Sequence, residues 1–349
     1  MVRHKDSKKI LVKGTNWVGD TILAFPAVHS LRTIFPNSQI YILTKSYLAE
    51  LWMANSNIDE VIPYDIPKRF LRIFAEMKIA QFLRGRSIDL AIILPRSFSS
   101  ALMIFCGGIP CRIGYAGEAR DWLLTEKVRR SPELLRQHRM NYYLQLINIL
   151  DNSVPPSLPQ LSINGEVQGW ARRFLQRKGL QDKLLVGFNP GSFYGEAKCW
   201  FPDRFVKLGR KLIKEKETFI FIFGSSNPKE RDLNASIAQE IGEGCLNLTG
   251  KTTLLQLASL LQLCRLLVTN DTGTMHIGAA VGTRVVAIFG STDPRTTSPL
   301  GEGHVVVRKE VPCSPCFKRV CAEDHRCMDL ISMEEVYTVV EAQLNERFP

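Results

Sequence analysis

Several short stretches place chemistry-bearing residues directly after an apolar run. The first is GTNWVGDTIL, residues 14–23, which follows Ile10-Leu11-Val12. Gly14, Gly19 and Thr21 have the spacing of a phosphate-cradling P-loop, but Asp20 stands where such a loop carries lysine. The glycines allow a tight turn from strand into helix. An aspartate at that helix start is held ionised by the helix dipole and the free N–H groups. It would repel a phosphate, and it suits a carboxylate that accepts a proton. An N-capping role explains the same residue.

The second stretch is VTNDTGTMHIGAA, residues 268–280. A strand ends in Asn-Asp-Thr-Gly and a helix of small residues follows. Free N–H groups at Gly273 and Thr274, with the Thr272 hydroxyl, would cradle an anion. Asp271 fits a helix cap as well, and His276 fits a core histidine. The third stretch, NPGSFYGEAKCWF, spans residues 189–201 and offers Lys198, either a point charge for a phosphate or a solvated surface lysine. A fourth turn, FGSSNPKER, ends another strand. Its Glu230 is either an acceptor for ribose hydroxyls or a solvated helix glutamate.

Two further stretches bear on partners and metals. Residues 68–86 read KRFLRIFAEMKIAQFLRGR. Phe70, Ile73, Phe74 and Met77 share a helical face, with Phe82 and Leu83 extending it. Lys68, Arg69, Arg72, Lys78, Arg84 and Arg86 flank it. The pattern suits a helix lying on an anionic membrane, and equally one packed on its own domain. Near the C-terminus, Cys313, Cys316, Cys321 and Cys327 are spaced C-x2-C-x4-C-x5-C with His325 among them. Four soft ligands there could hold zinc, although the spacing is not a usual two-pair pattern. A plain thiol-rich loop is the favoured reading.

The elements that must position these residues alternate strand and helix. Strands are predicted at residues 9–13, 39–43, 60–64 and 89–94, with helices at 21–35, 68–84 and 132–150. Residues 151–159, DNSVPPSLP, break the pattern and mark a linker there or shortly after. Strands follow at 184–189, 218–223, 265–270 and 284–289. Helices follow at 202–214, 228–241, 253–263 and 272–281, with a final amphipathic one at 332–348. The alternation predicts α/β architecture: two Rossmann-like lobes, each a parallel sheet covered by helices, facing a central cleft. The predicted division is 1–160, 161–331 and a C-terminal helical segment, 332–349, packing back toward the first lobe.

Composition narrows the partners. The 349 residues include 45 basic and 34 acidic ones, a formal charge of +11. That suits an anionic membrane surface or a phosphorylated ligand. No nucleic-acid-binding signature accompanies it, so nucleic acid is not an expected partner. The charged N-terminus MVRHKDSKK lacks a secretory pattern, and no run of about 18 apolar residues occurs. With nine cysteines, an odd number, the expectation is a cytoplasmic chain with reduced thiols.

Together these motifs resemble the ADP-heptose:lipopolysaccharide heptosyltransferases, a family of GT-B glycosyltransferases. The anchors are GTNWVGD, PGSFYGEAKCW, FGSSNPKER and TNDTGTMHIGAA. The resemblance runs over nearly the whole chain. Trp17-Val18 and residues 94–124 are more similar to heptosyltransferase II than to heptosyltransferase I. The resemblance implies an inverting transfer of L-glycero-D-manno-heptose from ADP-heptose to the lipopolysaccharide inner core, as the second heptose. It implies Asp20 as catalytic base. It places Lys198, Thr272, Gly273 and Thr274 at the donor diphosphate, Glu230 at the ribose, and Asp271 and His276 in the same motif, with Asp271 near the transferred sugar. The first lobe would bind the lipid A-anchored core oligosaccharide, and the second the nucleotide. No metal or other cofactor is implied. The Cys-rich tail departs from the best-known heptosyltransferase II sequences. The enzyme would sit on the cytoplasmic face of the inner membrane. The rivals are a heptosyltransferase I- or III-type enzyme with another acceptor, and a non-catalytic ADP-sugar-binding protein.

Overall fold

The computed structural model describes residues 4, 6–67 and 71–346. Part of the N-terminal stretch (1–3 and 5), Lys68, Arg69 and Phe70 of the basic segment, and residues 347–349 of the last predicted helix lie outside the described residues. The chain divides into two compact units, Met1–Gln160 and Leu161–Pro349.

The first unit is built on Lys9–Lys13 (β1), Gln39–Lys45 (β2), Glu60–Tyr64 (β3), Leu90–Ile93 (β4), Cys111–Tyr115 (β5) and Glu126–Val128 (β6). They form one parallel sheet in the order β3-β2-β1-β4-β5-β6. Ile10 pairs with Ile40 on one side and Leu90 on the other. Helices cover parallel strands on both faces, so the central strands read as unbroken apolar runs. Ile10, Leu11, Val12, Ile92 and Ile93 are accordingly fully buried.

The second unit repeats the plan with Leu184–Asn189 (β7), Thr218–Ile222 (β8), Cys245–Asn247 (β9), Leu266–Asn270 (β10), Arg284–Phe289 (β11) and Val305–Arg308 (β12). Its parallel order is β12-β11-β10-β7-β8-β9. Each sheet reverses its order once, between β1 and β4 and between β7 and β10. At such a reversal the loops after two neighbouring strands diverge and leave room for a ligand.

The predicted helix at 21–35 is two helices, Val18–Leu23 and Phe25–Ile34. Pro26 cannot donate into a continuous helix and its ring clashes with the preceding turn, so the chain breaks at Ala24. The predicted 132–150 helix also divides, into Pro132–Arg136 and Arg139–Asn148. Between them Gln137 is extended, and the His138 ring accepts from Met140 N–H at 3.3 Å. The C-terminal helix, Met333–Asn345, lays Val336, Tyr337 and Val340 in the core of the second unit, with Phe188, Phe205 and Val286. They are the apolar stripe of an amphipathic helix, and strands β10 and β11 with helix Pro202–Lys216 supply their contact.

Candidate active site

In the second unit, β7 and β10 are neighbours, with Asn189 beside Thr269. The loops that leave them therefore emerge side by side. Both strands end in asparagine, and the two amides stitch the loops together. Asn189 Nδ2 donates to Gly191 O at 3.2 Å and to Thr272 Oγ1 at 3.3 Å. Asn270 Nδ2 donates to Pro190 O at 2.6 Å, and its Oδ1 accepts from Trp200 N–H at 3.0 Å.

This frame holds Lys198 against Asp271. The ammonium lies 2.6 Å from Asp271 Oδ2 and 3.4 Å from its carbonyl oxygen. The pair is largely buried, the side chains being 13% and 5% exposed. Asp271 Oδ2 also accepts from the Thr292 hydroxyl at 2.8 Å. Asp271 is therefore not the cap of the following helix, Gly273–Ala280. Thr272 occupies that position and makes no side-chain cap bond; its hydroxyl is engaged by Asn189 and by Thr269 at 3.2 Å. The first-turn N–H groups, those of Gly273 and Thr274 included, are left without a capping side chain beside a lysine. That is the chemistry of an anion site. His276 is buried further along this helix.

Glu230 joins the same end of the sheet. It sits in the first turn of Pro228–Ile241, nearly buried, and accepts from the Ser225 hydroxyl. Its side chain lies over the Asn189 loop so closely that a Cβ on Gly191 would stand 2.4 Å from Glu230 Cγ. Only glycine fits there. Burial, and then the Glu230 and Glu196 carboxylates, push the Cys199 thiol up to about 12. It stays protonated and is no nucleophile.

In the first unit, β1 ends at Lys13, which is fully buried. Its ammonium donates to Gly14 O at 2.9 Å, and burial followed by the Lys45 charge lowers its pKa to about 7. Gly14 N–H donates to Leu43 O at 2.9 Å, and a Cβ there would crowd Trp52 at 3.3 Å. The Thr15 and Thr21 hydroxyls bond across the turn at 2.9 Å. Helix Val18–Leu23 begins after Trp17, so Asp20 is in its first turn and is not the N-cap. The Tyr143 hydroxyl, from helix Arg139–Asn148, donates to the Asp20 carboxylate. Burial first and the Asp20 charge second raise the Tyr143 pKa well above its usual value.

The four cysteines at 313, 316, 321 and 327 are free thiols. Among the described residues, the ligand atoms that converge within 4.8 Å of one another belong instead to His4, Cys111 and Glu126. Those three are joined by hydrogen bonds, His4 Nε2 lying 2.7 Å from Glu126 Oε1. The sequence reading did not single out Tyr143, Thr292 or Asn189. Asn189 ends a strand and Thr292 follows one, a signal that could have found them. Tyr143 lies mid-helix and carries none.

Two parallel six-stranded units of this topology, with strand-end polar loops, define a GT-B glycosyltransferase. The comparisons with known proteins make this specific. The glycosyltransferase family 9 (heptosyltransferase) model matches residues 76–326. The chain is 31% identical to lipopolysaccharide heptosyltransferase 2 of Escherichia coli K12, over 86% of this chain and 88% of that protein. It is 31% identical to lipooligosaccharide heptosyltransferase 2 of Haemophilus ducreyi over the same shares. The solved structure of E. coli ADP-heptose lps heptosyltransferase II superposes with a TM-score of 0.82 at 28% identity, covering 96% of this chain and 98% of that one. The chain belongs to glycosyltransferase family 9, the heptosyltransferases.

Proposed function

We propose that the enzyme transfers L-glycero-D-manno-heptose, with inversion, from ADP-L-glycero-D-manno-heptose to the lipid A-anchored inner core of lipopolysaccharide, adding the second heptose. The observation that carries the donor assignment is the Lys198 ammonium beside the uncapped start of Gly273–Ala280. The names of the similar proteins supply the sugar and the acceptor class.

The acceptor oxygen attacks the anomeric carbon while the bond from that carbon to the ADP oxygen breaks. Asp20 takes the acceptor's proton as the new bond forms. ADP leaves with the bonding electron pair. Lys198 and the first-turn amides at Gly273 and Thr274 stabilise the charge that develops on it. Glu230 accepts hydrogen bonds from the ribose hydroxyls, and Asp271 fixes Lys198. His276 supports the helix from within. No metal is assigned a step, and the thiol-rich reading of the four cysteines is retained over zinc.

The test is turnover with ADP-heptose and two core acceptors, one bearing no heptose and one bearing a single heptose. Transfer to the single-heptose acceptor, with release of ADP, is expected. Transfer confined to the heptose-free acceptor would move the enzyme to the first addition.

We also infer that the enzyme works as a peripheral protein at the cytoplasmic face of the inner membrane. No described helix is long and apolar enough to cross a membrane. Helix Leu71–Arg84 buries Ala80 and Leu83, but Ile73, Phe74 and Met77 are 67%, 67% and 62% exposed. Arg72 and Lys78 border this row. Arg72 also reaches Ser99 Oγ at 3.1 Å, and the exposed Phe98 and Trp122 lie near it with tilted rings, their centroids 6.4 Å apart. An apolar row with basic flanks suits an anionic bilayer. Lys78→Gln should weaken co-sedimentation with phosphatidylglycerol vesicles about fivefold, since a basic residue near such a surface contributes about 1 kcal/mol. Ile73→Ser with Phe74→Ser should weaken it further. Unchanged sedimentation of both variants removes this surface from the reading.

A further inference from the structure

The segment that carries Cys313, Cys316, Cys321 and Cys327 has no part in the mechanism above. Residues 312–325 contain neither helix nor strand. They are fastened to the loops of the donor site. Phe317 N–H donates to Ser291 O at 2.8 Å, next to the Thr292 that bonds Asp271. The Tyr194 hydroxyl donates to Phe317 O at 2.8 Å, and Ala197 N–H donates to Arg319 O at 3.0 Å. The His325 ring nitrogen lies 3.2 Å from Ala197 O. The approach is close enough that a Cβ on Gly195 would stand 2.3 Å from Arg319 O. The segment is thus clamped along the loop that ends in Lys198.

These anchors bring a second cation to the lysine. Lys198 Nζ and the Arg319 guanidinium stand against the same ring, 4.7 Å and 5.2 Å from the Tyr194 centroid. The two differ in how their charge is matched. Lys198 is already paired with Asp271 at 2.6 Å, so an incoming diphosphate meets a pair close to neutral. Arg319 is exposed and forms no ion pair among the described residues. A guanidinium presents a planar fork of donors that matches two phosphate oxygens at once.

We propose that Arg319, delivered by the cysteine-bearing segment, is a second phosphate-binding cation of the donor site. Its guanidinium contacts the diphosphate of the bound nucleotide, supplying the positive charge that the Lys198–Asp271 pair does not. The segment's irregular path then has a purpose, which is to hold one arginine over the Lys198 loop. The inference rests on the ADP-sugar reading of this site.

Calorimetric titration of wild type, Arg319→Ala and Arg319→Lys with ADP and with adenosine tests it. Arg319→Ala should weaken ADP ten- to a hundredfold and leave adenosine binding unchanged. Arg319→Lys should recover part of the loss, because the charge is kept and the fork is not. The salt dependence of ADP affinity should be shallower in the alanine variant. Equal ADP affinity in wild type and Arg319→Ala overturns the inference while leaving the donor reading intact. Parallel loss of adenosine and ADP assigns Arg319 a purely structural role and also overturns it. Failure of the wild-type chain to bind ADP removes the donor reading, and this inference with it.

Discussion

Asp20→Asn should lower the transfer rate by about a thousandfold, within the range a positioned general base contributes, and leave ADP binding within about twofold of wild type. Asparagine has the shape of aspartate but cannot take the acceptor's proton. Its amide oxygen still accepts from the Tyr143 hydroxyl, so the contact between helices Val18–Leu23 and Arg139–Asn148 survives. Folding and the donor site are then untouched, and the loss falls on kcat. Tyr143→Phe removes only the partner that orients the carboxylate, and should cost far less, about tenfold, consistent with one hydrogen bond to a charged group. Steady-state transfer kinetics beside calorimetric ADP titration provides the comparison. An Asp20→Asn enzyme running within tenfold of wild type would show that another group accepts the proton.

Lys198→Met should combine a stability loss with a binding loss, and the two can be separated. The Lys198 ammonium neutralises a carboxylate that is 5% exposed. Without it Asp271 retains the Thr292 hydroxyl but no cation, and breaking a buried pair from one side costs roughly 3–5 kcal/mol. On the proposed donor reading the orphaned negative charge would also repel the incoming diphosphate, so ADP affinity should fall at least a hundredfold. In Lys198→Met with Asp271→Asn no charge is left unpaired. The double variant should regain most of the thermal stability and little of the ADP affinity. Melting curves and ADP titrations of the three proteins decide the matter. Wild-type ADP affinity in Lys198→Met would falsify its role at the diphosphate.

Much of the frame was readable because burial on both faces imposes a simple demand on sequence. β1, β3, β7 and β11 have the bounds expected from their apolar runs, and so does helix Pro228–Ile241, with Asn227 capping before Pro228. β5, β6, β9 and β12 were not foreseen. They have three to five residues, with polar ones such as Cys-Arg-Ile-Gly-Tyr or Glu-Lys-Val. Such runs become strands because a formed neighbour offers its hydrogen bonds. Helix Leu71–Arg84 satisfied half of each reading: Ala80 and Leu83 pack inward, and Ile73, Phe74 and Met77 do not.

By itself the sequence determined which groups stand at the ends of strands. Asp20, Lys198, Glu230 and Asp271 each lie in the loop or first helical turn that follows a β-run, and that attachment is local. Their family resemblance was legible for the same reason. Tertiary structure alone decided which groups meet. Lys198 and Asp271 are 73 residues apart and touch because β7 and β10 are neighbours at the reversal of the sheet order. Asp20 and Tyr143 meet because helix Arg139–Asn148 packs on the first two helices of its unit. Arg319 reaches Tyr194 through loop hydrogen bonds that no periodicity encodes. A parallel sheet requires a crossover between neighbouring strands, so its contacts join residues far apart in the chain. Local pattern therefore names the participants, and only the folded sheet order pairs them.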